Sequence, residues 1–106
     1  MEFKEIIKRA LEVRKKYAEL EKKKYGKFWT REQIAQGFVG DVGDLMKLVM
    51  AKEGVREIDN VDEKLTHELS DCLWNILNLA DQFGVDLEAS FMKTMEELEK
   101  RIESEN

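Results

Sequence analysis

Gly40-Asp41-Val42-Gly43-Asp44-Leu45 sets two aspartates three residues apart, and Glu68-Leu69-Ser70-Asp71 repeats that spacing with a glutamate and an aspartate. On a helix, residues three apart leave one face about a turn from each other. Both pairs have apolar neighbours: Phe38, Val39, Val42, Leu45 and Leu48 around the first, and Leu65, Leu69, Cys72, Leu73 and Ile76 around the second. The acids therefore border the interior, where unpaired negative charge is costly. Two packed helices carrying four carboxylates need a cation between them. An all-oxygen donor set suits Mg²⁺ or Mn²⁺.

Outward from these stretches the chain is helical. Thr30 and Gln33 form a capping-box signature, so the second helix is expected over 31–52. Gly37, Gly40 and Gly43 lie inside it, each costing roughly 1 kcal/mol against Ala. Gly43 suits close helix packing, and Gly37 suits space left for a ligand. Phe28 and Trp29 precede the cap, either as a hydrophobic staple or with one ring stacking on a nucleobase. A third helix is expected over 61–83, capped by Asp59, Asn60 or Asp62. Leu65, Leu69, Cys72, Leu73, Ile76, Leu79, Ala80 and Phe83 form its apolar face. Beside them runs a polar stripe of Lys64, Glu68, Asp71, Asn75, Asn78 and Gln82. The stripe is either a solvated surface or a pocket wall that binds phosphate, sugar or base edges. Trp74 falls opposite the middle of the apolar face, near His67 and Ser70, which suggests an oligomer contact. His67, the single histidine, reads as surface or interface.

The first helix is expected over 2–24, with Lys22, Lys23 and Lys24 at its C-terminal end and Gly26 closing it. Gly54 and Gly84 end the second and third helices. Asp86 caps a fourth over 86–104, whose buried stripe is Phe91, Met92, Met95, Leu98 and Ile102. Lys93, Lys100 and Arg101 on it are cations open to phosphate.

The 106 residues fit one domain, 1–106, with no proline and 39 % charged side chains, a composition that favours helices. A net charge of −5 disfavours binding to a nucleic-acid polymer. Cys72 has no partner for a disulfide, which fits a reducing cytoplasm. The N-terminus lacks an apolar signal core, and no run is long enough to span a membrane.

At the acidic pairs the chain resembles the MazG-like all-α nucleotide pyrophosphohydrolases, which carry EExxE and ExxD on adjacent antiparallel helices. The dCTP pyrophosphatase-type branch, with GExGEL, is the nearer likeness: Gly40 to Leu45 reproduces that motif with Asp for both Glu. Glu68 to Asp71 matches ELSD unchanged, and Gly84-Val85-Asp86-Leu87 resembles the G-[IV]-D-L before the family's last helix. The likeness runs from about residue 28 to 101.

The resemblance implies a four-helix all-α bundle completed by dimerisation, sometimes as a dimer of dimers. It implies Mg²⁺-dependent hydrolysis of nucleoside triphosphates to a monophosphate and pyrophosphate. By position, Asp41, Asp44, Glu68 and Asp71 would be metal ligands, with Glu68 and Asp71 the candidates to activate water. Trp29, Gly37, Asn75, Asn78, Lys93 and Arg101 are the candidate substrate contacts. The chain departs from the pattern in three places. Aspartate is a methylene shorter than glutamate, Glu96 and Glu97 stand where a phosphate-site Asn is expected, and Asn75 replaces a frequent aromatic. Two other readings stay open: a phosphoribosyl-nucleotide pyrophosphatase, and a non-catalytic helical dimer that binds a nucleotide or a protein.

Overall fold

A computed structural model describes residues 1–105 as four helices: α1 (Phe3–Tyr25), α2 (Arg31–Lys52), α3 (Val61–Gln82) and α4 (Leu87–Glu105). Their ends follow local chemistry. Gly26 adopts φ +75°, a left-handed conformation that costs an L side chain energy, and its N–H donates to Lys22 O. Thr30 and Gln33 close the expected capping box. Gln33 N–H donates to Thr30 Oγ1 at 3.2 Å, and Thr30 N–H donates to Gln33 Oε1 at 2.8 Å. Asp86 caps α4, its Oδ1 accepting from Ala89 N–H. Asn60 occupies the cap position of α3 in a left-handed conformation without a side-chain cap bond. Asp62, another expected cap, instead accepts from Lys52 Nζ at 2.6 Å and ties the two ends of the α2–α3 connection.

α3 is the central element. α2 packs along it extensively, α1 lies against it more lightly, and α4 touches its neighbours sparsely and buries no residue. Among the described residues the apolar core is small: Ala10, Ile34, Leu48, Cys72 and Leu77. The radius of gyration, 17.1 Å, exceeds the roughly 13 Å of a compact chain of this length. No described helix is long and apolar enough to cross a membrane.

α3 departs from its expected orientation. Leu69, Leu73, Ile76 and Phe83, read as core from their spacing, are exposed in the protomer. Trp74, read as outward-facing, instead joins α3 to α1. Its Nε1–H donates to Ala10 O at 3.0 Å, and its ring lies 5.6 Å from that of Tyr17. The physical reason is that α3 has two apolar sides, and α1 occupies the one carrying the indole. Trp74→Phe removes the donor while keeping most of the ring. About 0.5–1.5 kcal/mol of stability should be lost, measured by urea denaturation. Gly43 also departs from expectation, since no side chain or backbone packs where its Cβ would stand.

Candidate functional site

The α2–α3 pairing brings three of the four acids together. Asp41, Asp44 and Glu68 each offer a carboxylate oxygen within 4.8 Å of the others. Asp41 and Glu68 are half-buried, and Asp44 is exposed. Asp71 lies one turn along from Glu68 and outside this set, with its Oδ2 3.2 Å from His67 Nε2. Asn75 holds the first acid in place: its Nδ2–H donates to Asp41 Oδ2 at 2.7 Å and to Asp71 O at 3.0 Å. The amide at this position thus orients a carboxylate on the facing helix.

Glu68 shows what the cluster costs. Its Oε1 is buried and has no hydrogen-bond partner among the described residues. Burial first, then the charges of Asp41, Asp71 and Asp44, push its carboxyl above the usual range, with His67 opposing them. A buried oxygen without a donor, beside two more carboxylates, fits a hard divalent cation. Burial also raises the neighbouring Cys72 thiol, reinforced by Glu68, Asp41 and Asp71, so Cys72 stays protonated.

The raised pKa carries a sign. A carboxyl that binds its proton more tightly in the folded state favours folding at acid pH, and loses that contribution as pH rises through the folded value. Without metal, Glu68→Gln is therefore expected to melt above the parent protein at pH 7. The difference should shrink as pH falls towards the ordinary carboxylate range. Mg²⁺ should raise the melting temperature of the parent and have little effect on the variant. Scanning calorimetry across pH with EDTA or Mg²⁺ measures all three.

Beside the acids, α1, α2 and α3 enclose a cleft of about 590 Å³. Asp41, Asp71 and Asn75 line it together with Trp29, Gly37 and Asn78, whereas Asp44 and Glu68 border a separate, more open pocket with Leu48, Ile58 and His67. Four expected substrate contacts, Trp29, Gly37, Asn75 and Asn78, thus share one cavity with Asp41 and Asp71. A Cβ on Gly37 would meet Trp29 Cζ3 at 3.8 Å, so the bare helix surface faces the indole at ordinary contact distance. Lys93 and Arg101 on α4 do not line this cleft.

Sequence reasoning missed the α1 wall, formed by Arg14, Tyr17, Leu20, Glu21 and Lys24. Arg14 and Glu21 make a two-pronged pair, Nη1 to Oε1 at 3.1 Å and Nη2 to Oε2 at 3.2 Å, with both side chains largely buried. Their seven-residue spacing on one face, with Tyr17 between them, was the available signal.

A family model, the MazG nucleotide pyrophosphohydrolase domain, matches residues 32–104. No curated protein and no solved structure matches the chain. The matched segment contains nearly all of α2, all of α3 and nearly all of α4, and with them both acidic pairs. The chain belongs to the MazG nucleotide pyrophosphohydrolase domain family.

Proposed function

We propose that this chain is a metal-dependent pyrophosphohydrolase that cleaves nucleoside or deoxynucleoside triphosphates between the α and β phosphates. The products are a nucleoside monophosphate and pyrophosphate. One observation carries the reading: three carboxylates converge, one with a buried oxygen lacking a donor, and one of the three, Asp41, also lines a cleft with aromatic walls. Charge supports it. Residues 1–30 carry ten Lys and Arg against five acids, whereas residues 31–106 carry eight against eighteen. A basic α1 facing acids across the cleft draws in a polyanion that the acids alone would repel.

Asp41, Asp44 and Glu68 would hold Mg²⁺ or Mn²⁺. When bound, the cation supplies charge neutralisation of the phosphates and easier deprotonation of water. Asn75 keeps Asp41 aimed at the cluster rather than at solvent. Glu68 or Asp71 accepts the proton of the attacking water, and the His67 contact steadies Asp71 for that role. The water attacks in line, and the negative charge passes to the departing pyrophosphate. Lys93 and Arg101 are the proposed cations for that group. They meet it once α4 is docked in a dimer.

The dimer is part of the proposal. Val39, Val42, Met46 and Val49 on α2 and Leu69, Leu73 and Ile76 on α3 form exposed apolar stripes on adjacent helices. Phe91, Met92, Leu98 and Ile102 add one on α4. A second copy covering these stripes completes the bundle, as a homodimer or a dimer of dimers. We place the protein in the cytoplasm, where its nucleotide substrates and a reduced thiol belong.

The test is pyrophosphate release from a panel of canonical and modified NTPs and dNTPs, with Mg²⁺ or Mn²⁺ and with EDTA as control. Metal-dependent release from at least one substrate is expected. Silence across the panel from folded, dimeric protein overturns the hydrolase reading for triphosphates.

A further inference from the structure

We propose that Asn78 reads the base of the bound nucleotide, its carboxamide pairing with a base edge that offers an N–H beside an acceptor. Asn78 is the most buried polar residue described, at 2 % exposure. Its Oδ1 has no hydrogen-bond partner among the described residues, yet the side chain lines the cleft. An unpaired carbonyl in this position carries its full desolvation cost. A core position of this size on α3 accepts Leu without that cost, as Leu77 beside it does at 3 % exposure. The orphaned amide is therefore explained by a ligand rather than by packing.

The surroundings favour a base over a sugar hydroxyl. Trp29, Tyr17 and Trp74 supply flat apolar walls that accept a heteroaromatic ring. The phosphate end is fixed by the acids, since Asp41 lines the same cavity and Asn75 bridges it to Asp71. Asn78 lies on the polar stripe one turn beyond Asn75, away from the acid pair. Glu21, the other buried polar residue of the cleft, is already paired, since both its oxygens accept from Arg14, and a carboxylate has no donor to offer a base. A carboxamide presents one acceptor and a donor side by side, which matches the hydrogen-bonding edge of uracil, cytosine, adenine or guanine, depending on the way it is turned. It leaves a ring lacking such groups unread. A site whose buried polar groups await a partner rejects analogues that cannot supply one.

The inference rests on the nucleotide reading above but needs neither metal nor hydrolysis. The experiment is calorimetric binding of the common ribo- and deoxyribonucleoside 5′-monophosphates, ribose 5-phosphate and purine riboside 5′-monophosphate, all in EDTA. The proteins compared are the parent, Asn78→Leu and Asn78→Ala. At least one nucleotide should bind the parent more tightly than ribose 5-phosphate and purine riboside monophosphate. Both variants should lose that margin by roughly tenfold or more, and Asn78→Leu should melt at or above the parent temperature. Three results would overturn the proposal: equal binding of ribose 5-phosphate and every nucleotide, an unchanged margin in folded variants, or destabilisation of both variants. Failed turnover on the triphosphate panel with this binding pattern intact would sink the hydrolase reading and leave Asn78 as the base reader.

Discussion

Asp41→Asn is expected to lower metal-dependent pyrophosphate release by more than about 100-fold, beyond the 10–100-fold typical of residues that only orient a ligand. Three features of Asp41 predict this. Its carboxylate is one of the three that converge, it is half-buried, and it lines the cleft between α1, α2 and α3 as well. The amide is nearly isosteric, so packing on α3 survives and the loss reports charge. Asn75→Leu provides the graded comparison. It removes the 2.7 Å bond to Asp41 while leaving the charge, and should fall within the 10–100-fold range, with weaker apparent Mg²⁺ affinity. Initial rates across a Mg²⁺ titration separate the two. Full turnover by Asp41→Asn would remove it from the metal site.

Leu73→Glu combined with Ile76→Glu is expected to abolish self-association and to lower stability steeply. Both side chains are exposed in the protomer, at 44 % and 38 %, on a helix whose other sides already meet α1 and α2. If these faces were free in solution, the double change would carry only a modest cost, because the new carboxylates could reach water. If a second copy covers them, the carboxylates are desolvated without partners, and two-fold symmetry counts every loss twice. For a domain of this size each kcal/mol moves the melting temperature by about 4–8 °C. Sedimentation velocity and thermal melts at several protein concentrations measure both effects. A parent protein that sediments as a monomer at every concentration would refute the dimer.

Local chemistry made much of this fold legible. The Thr30–Gln33 box, the Gly26 terminator and the Asp86 cap each act within one turn, and each sits where the sequence places it. The acidic pairs were readable for a similar reason, because the three-residue spacing fixes their face whatever packs there. Features that depend on which helix meets which were not legible. Trp74 and Leu69 lie on different sides of α3, both apolar, and periodicity cannot say which side α1 takes. Asn75 was expected to touch substrate. Its bond to Asp41 spans 34 positions and follows only from the pairing of α2 with α3. Arg14 and Glu21 were overlooked because charged residues on a helix default to solvent. Their near-complete burial exists only once α3 lies alongside.

The α1 wall carries a consequence for how such a protein changes over generations. The acids and the amide that steadies them belong to α2 and α3, inside the matched segment, whereas α1 lies before it. Yet α1 supplies Arg14, Tyr17, Glu21 and Lys24 to the cleft and is joined to α3 through Trp74. Inheritance can thus vary one wall of the cleft, the α1 face, apart from the acids of α2 and α3 and from Asn78 on α3.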